Sequence, residues 1–182
     1  MANDLAQALA TADRLFERDR LEAEIGRLAD ELVADHVGER PVYLTIMNGG
    51  MLFAAQLALA IGERLDLEFD YLHATRYRGD TVGASLHWLR LPTTSLVGRK
   101  VVLVDDILDE GHTLSEVKAW CLAHGAAEVR VAALAVKQHS RCLPDVKADY
   151  VGVHVPDRYV FGYGMDFHEQ GRNLPAIFAL AE

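Results

Sequence analysis

Asp105, Asp106 and Asp109, followed by Gly111 and Thr113, form the part of this chain best suited to chemistry. They stand in the run Val101-Val102-Leu103-Val104-Asp105-Asp106-Ile107-Leu108-Asp109-Glu110-Gly111-His112-Thr113-Leu114. Its four leading apolar residues read as a fully buried strand. A helical pattern then runs from Leu114 to Leu122. A strand that ends in acids and turns through small residues into a helix builds a site at the carboxyl edge of an α/β sheet. Backbone N–H groups from Asp109 to Thr113, at a helix N-terminus, suit a phosphate. The acids beside them suit sugar hydroxyls or a hydrated divalent cation. A lone Asp here would read as a helix cap. The metal-holding strand of a P-loop NTPase would need a G-x-x-x-x-G-K-[ST] run, and the sequence has none.

The rest of the chain supplies elements to hold that loop. Leu5 to Val37 is helical in pattern, and Pro41 opens a buried strand at Val42–Met47. Gly49-Gly50 leads into an apolar helix over Met51–Ile61. Leu67–Ala74 reads as a strand in which Leu67, Phe69, Tyr71 and His73 alternate with Glu68, Asp70 and Leu72. A polar, glycine-bearing loop spans Thr75–Ser85. Further strands are expected at Leu86–Leu91 and Glu128–Val136. Alternating strands and helices imply an α/β fold with a central, mostly parallel sheet flanked by helices. The segment from Tyr150 is aromatic and carries Pro156, Gly162 and Gly164, which reads as a small C-terminal hood over the sheet edge. At 182 residues, one domain over 1–182 is expected, with the hood built mainly from 150–182.

Bulk properties exclude several partners. A net charge of −9 argues against a nucleic-acid polymer, which needs a basic surface. The N-terminus lacks a basic-then-apolar leader, and no apolar run reaches membrane-spanning length. Cys121 and Cys142 lack metal spacing and suggest a reducing compartment, so a cytoplasmic protein without a membrane partner is expected. The His residues show no paired ligand spacing for zinc.

The segment Asp105–Thr113 closely resembles the phosphoribosyl-diphosphate signature of the type I phosphoribosyltransferases, in particular the hypoxanthine-guanine phosphoribosyltransferases. That signature is two acids, two apolar residues, Asp, any residue, Gly, any residue and Thr, after an apolar strand. The resemblance implies that Asp105 and Asp106 hold the ribose hydroxyls, directly or through Mg²⁺. It implies that Asp109 faces N7 of the purine as the catalytic acid or base. Glu110, Gly111, His112 and Thr113 would wrap the 5′-phosphate, His112 standing where a Lys is frequent. Four more segments extend the likeness from about Leu15 to the C-terminus. Met47-Asn48-Gly49 matches the diphosphate loop, with Asn48 in place of the usual Lys or Arg, and its Met47–Asn48 peptide is expected to be cis. Arg76-Tyr77 matches a closing loop that usually reads Ser-Tyr.

Lys137 matches the lysine that donates to O6 of the purine. A buried strand-end Lys without a partner is costly, which independently favours function there. Val155–Asp166 resembles the purine-binding segment. In it Tyr159 would stack on the base, the backbone of Val160 would meet its edge, and Asp166 would hold magnesium or its water shell. Arg172 matches the arginine near diphosphate. The activity implied is Mg²⁺-dependent transfer of 5-phosphoribose from 5-phosphoribosyl 1-diphosphate to N9 of hypoxanthine or guanine. The products are IMP or GMP and diphosphate, and an assembly of two or four copies is expected. Two alternatives stay open at this level: a same-fold enzyme preferring xanthine or another base, and a same-fold regulator that binds RNA or a nucleotide.

Overall fold

The strand that carries the acids is buried on both faces, and the molecule is layered around it. Val102 and Val104 pack into one apolar cluster, while Val101 and Leu103 pack into another on the opposite face. This accounts for a continuous apolar run where a half-exposed strand would alternate. The structure, a computed structural model, describes residues 5–76 and 86–181. In chain order the elements are α1 (Leu5–Thr11), β1 (Asp13–Phe16), α2 (Arg18–Asp35), β2 (Val42–Met47), α3 (Met51–Ile61), β3 (Glu68–Arg76) and β4 (Leu86–Arg90). They continue with β5 (Lys100–Leu108), α4 (His112–Ala123), β6 (Glu128–Lys137), β7 (Tyr150–Val155), β8 (Val160–Phe161) and β9 (Ile177–Ala179).

A six-stranded sheet has the order β4-β3-β2-β5-β6-β7. Its strands run parallel except β4, which pairs antiparallel with β3 at the edge. Leu21, Leu28 and Leu32 of α2 and Phe53 and Leu57 of α3 fill one face. Leu114, Val117 and Cys121 of α4 cover the other. A second, three-stranded antiparallel sheet has the order β1-β9-β8. Phe161, Phe167 and Phe178 pack beneath it with Ala8.

Three expectations need correction. The continuous helical pattern from Leu5 to Val37 is split by β1, because Asp13 and Arg14 pair with Ala179 and Phe178. Pairing across the fold thus overrides local periodicity there. The acid-bearing strand does not end at Val104. Ile107 and Leu108 pair with Ala135 and Val136 of β6, so Asp105 and Asp106 lie within the ladder. The region from residue 150 also divides differently from the expected hood: β7 joins the main sheet through Val151 and Val153, and the small sheet takes β1 from the N-terminal region.

Candidate active site

Parallel strands deliver their carboxyl ends to one edge, where a ligand crevice is expected in an open α/β sheet. Here that edge holds a cleft of about 1080 Å³. Its walls come from the ends of β2, β3, β5 and β6, the first turn of α4, and the segment from Tyr159 to Arg172. A smaller hollow of about 330 Å³ between Ala58, Leu65 and Phe69 lies away from these strand ends.

The β5 end supplies the acids. Asp105 and Asp106 are each only 8 % exposed. The backbone N–H of Asp106 donates to Asp105 Oδ1 at 3.0 Å, and that of Ile107 donates to Asp106 Oδ1 at 2.9 Å. Among the described residues neither acid has an ion-pair partner. Burial pushes both carboxyls up, and repulsion from Asp106 pushes Asp105 up further. Gly111 caps α4 with φ 83°, which only glycine adopts readily. The N–H groups of the following first turn have no partner within the helix and border the cleft at His112, Thr113 and Leu114. His112 Nε2 lies 3.4 Å from Glu110 Oε2.

Asp109 is the hub of a second group. Lys137 Nζ donates to Asp109 Oδ2 at 2.5 Å, and His139 Nε2 to Asp109 Oδ1 at 2.6 Å. Burial alone would raise the Asp109 carboxyl, but the hydrogen bonds from Lys137 and His139 outweigh it and leave the group below the usual carboxylate range. Lys137 thus has the partner that a lysine at a strand end needs.

The loop after β2 closes the cleft from the side. The Met47–Asn48 peptide is cis, as the resemblance implied. A Cβ on Gly50 would come within 2.7 Å of the Val104 carbonyl oxygen and 2.8 Å of that of Ile46. A Cβ on Gly49 would lie 2.5 Å from Asp106 Cγ. Both glycines are therefore demanded by close approach to β5. Gly164, at φ +106°, is pressed onto the carbonyl group of Gly49 and leaves no room for a side chain.

The last wall is Tyr159 to Arg172. Tyr159 is 39 % exposed, and its hydroxyl donates to the Asp166 carbonyl at 3.1 Å. Val160 pairs with Ala179 and borders the cleft. Arg172 donates to the Gly164 carbonyl at 2.8 Å and meets Asp166 Oδ1 at 2.8 Å. Asp166 Oδ2 accepts from the backbone N–H of Glu169 at 2.9 Å.

The structure thus brings together Asn48, Gly49, Asp105, Asp106, Asp109, Glu110, Gly111, His112, Thr113, Lys137, Tyr159, Val160, Asp166 and Arg172 around one cleft. Arg76 closes β3, and Tyr77 lies outside the described residues. Sequence reasoning missed His73, which borders the cleft, and His139, which lies behind Asp109. The only signal for His139 was its place two residues after Lys137, at the end of a strand leading to the site edge.

The donor set fits a hard divalent cation. Asp105, Asp106 and Asp166 line the cleft with carboxylates, and among the described residues the first two form no ion pair, although the Arg172 charge acts on both. Among the described residues no three His, Cys, Asp or Glu side chains converge as a ready-made cage.

Fold and cleft together define a type I phosphoribosyltransferase, and residues 11–168 match the phosphoribosyl transferase domain family. The chain belongs to that family, and within it to the hypoxanthine-guanine phosphoribosyltransferases. It is 31 % identical over 183 residues to the hypoxanthine-guanine phosphoribosyltransferase of Streptococcus pneumoniae, covering 100 % of this chain and 97 % of the relative. The crystal structure of a hypoxanthine phosphoribosyltransferase from Staphylococcus aureus matches with a TM-score of 0.88 at 26 % identity, over 100 % of this chain and 97 % of that one. A hypoxanthine-guanine phosphoribosyltransferase from Bacillus anthracis matches with a TM-score of 0.84 at 30 % identity, over 94 % and 98 %.

Proposed function

We propose that the cleft transfers 5-phosphoribose from 5-phosphoribosyl 1-diphosphate to N9 of hypoxanthine or guanine, releasing IMP or GMP and diphosphate. The observation that carries this reading is the pairing of Lys137 with Asp109 at 2.5 Å one strand away from the buried acids. It supports a purine edge bound beside the sugar and phosphate of the donor. The first turn of α4, with Thr113, receives the 5′-phosphate. Asp105 and Asp106 hold the ribose hydroxyls. Backbone N–H groups at Asn48 and Gly49, with Arg172, hold diphosphate. Tyr159 stacks on the base, Val160 meets its edge, and Lys137 donates to O6.

Bond breaking at C1 leaves positive charge on the sugar, which nearby carboxylates stabilise. Asp109 takes or returns the N7 proton. Asp105, Asp106 or Asp166 would hold Mg²⁺, which would neutralise charge on the leaving diphosphate. The segment containing Arg76 and Tyr77 closes over the site and keeps water from the cation. The chain acts as one domain and assembles as two or four copies in the cytoplasm. No helix among the described residues is long and apolar enough to cross a membrane.

The test is a transferase assay with donor, Mg²⁺ and each purine in turn. Lys137 has donors and no acceptor, so it satisfies a 6-oxo group and meets the 6-amino group of adenine donor to donor. Adenine should be rejected by roughly 10⁴ relative to hypoxanthine, as in sites that leave buried polar groups unpaired. Comparable adenine turnover would remove Lys137 from base choice, and xanthine as the preferred base would move the reading to the xanthine alternative.

A further inference from the structure

Asp109 meets more than the lysine beside it. His139 is 3 % exposed at its side chain and does not border the cleft, yet its Nε2 lies 2.6 Å from Asp109 Oδ1. The other ring nitrogen is occupied: the backbone N–H of Arg141 donates to His139 Nδ1 at 3.0 Å. A donor aimed at Nδ1 requires a lone pair there, so the ring proton stands on Nε2 and points at Asp109. The turn that delivers this N–H is itself held. Arg141 forms a two-pronged pair with Asp157, with both contacts at 2.7 Å, and its Nε donates to Glu110 at 3.2 Å. The backbone N–H of Leu143 donates to the Glu110 carbonyl at 3.0 Å, tying the loop after β6 to the loop after β5.

We infer that His139 is a positioning residue that holds Asp109 through Oδ1 and leaves Oδ2 as the atom that works on the purine. The inference rests on the proposed role of Asp109. Oδ2 is the oxygen shared with Lys137, which under the proposed function turns toward O6 when a base enters. With His139 fixed on Oδ1, the carboxylate keeps its orientation while that second partner leaves. Without His139, the departure of Lys137 would leave the carboxylate with no side-chain donor to set its plane.

The experiment is a double-mutant cycle on the full chain, read as kcat and as KM for the phosphoribosyl donor. His139→Leu removes the donor at similar volume, and is expected to lower kcat about tenfold with donor KM unchanged, the scale of one hydrogen bond to a charged group. His139→Gln keeps an N–H at a similar reach and should restore kcat to within about threefold of wild type. In an Asp109→Asn background, His139→Leu should add less than about twofold, because the two residues act as a unit. Should His139→Leu fail to fold, His139→Ser, too short to reach Asp109, takes its place in the cycle. Equal losses for the Leu and Gln variants, or additive losses with Asp109→Asn, would overturn the inference. An Asp109→Asn variant with unchanged kcat would instead overturn the role of Asp109 itself.

Discussion

Asp109 and the pair Asp105 and Asp106, all lining one cleft, are treated in opposite ways by the fold. Asp109 has both oxygens paired, one to Lys137 and one to His139, and its carboxyl is held below the usual range. Asp105 and Asp106 are more deeply buried, have no ion-pair partner among the described residues, and are pushed up. The first group is finished by the protein. The second is completed only by something that brings positive charge or hydroxyl donors into the cleft. A site whose binding charges are left unsatisfied gains most from its ligand, because ligand and metal then relieve a burial cost already present in the free protein. Under the proposed function, the paired end handles the proton and base choice, and the unpaired end captures the sugar-phosphate and its metal.

The sharpest break in that comparison is Asp109→Asn. It should lower kcat by roughly 10²–10⁴, the usual worth of a general acid–base group, and leave donor affinity nearly unchanged. Steady-state kinetics beside donor titration checks both halves, and a folded variant with full kcat would contradict the division.

Next in size is Gly49→Val. Its Cβ would meet the Asp106 carboxylate rather than open space, so the damage begins at the acid pair. A loss of kcat/KM of about 100-fold or more is expected, as for misplaced catalytic groups. Asn48→Lys adds a charge at the same turn without that collision, and should change diphosphate inhibition by no more than about tenfold. The reverse ranking would mean that diphosphate is held by side chains rather than by backbone.

Tyr159→Ala tests the paired end again. Stacking on a base is worth about 1–3 kcal/mol, so KM for hypoxanthine should rise about 5- to 150-fold while donor affinity holds. Tyr159→Phe should lose little, because the hydroxyl only donates to the Asp166 carbonyl. A Phe variant as impaired as Ala would point to the hydroxyl instead of the ring.

The smallest effect is on stability and has opposite signs at the two groups. A carboxyl raised in the folded state destabilises the fold above its folded value, and the penalty disappears as pH falls through that value. Asp105→Asn with Asp106→Asn should therefore raise Tm at pH 7 by roughly 2–8 °C, and the gain should shrink toward pH 4. Asp109 is lowered, so its contribution is present above the ordinary carboxylate value and fades as pH falls through the folded one. Asp109→Asn should lower Tm at pH 7 and cease to matter in strong acid. Thermal melts across pH would expose a wrong sign in either group.

Much of this was legible in the sequence where a local pattern and a chemical need coincide. Val42–Met47 and Met51–Ile61 fall where apolar runs and the Gly49-Gly50 turn place them. The acid loop, Lys137 and the aromatic segment border one cleft. What pairing across the fold decides was not legible. Leu15 and Phe16 fit a helical face yet belong to a strand that pairs with β9. The alternation in β3 was visible, but not which side faces inward. Asp70 turns its side chain inward, where its carboxylate accepts from the backbone N–H groups of Thr93 and Thr94 at 2.7 and 2.8 Å, while Phe69 is left 62 % exposed. His139 carries no motif; only folding shows that it reaches Asp109.

The division of labour is tested most directly by calorimetric titration of 5-phosphoribosyl 1-diphosphate with Mg²⁺ into wild type, Asp105→Ala/Asp106→Ala and Asp109→Asn. Loss of donor binding in the acid-pair variant, with wild-type affinity retained in Asp109→Asn, is the predicted result. Equal donor affinity in wild type and the acid-pair variant would contradict it.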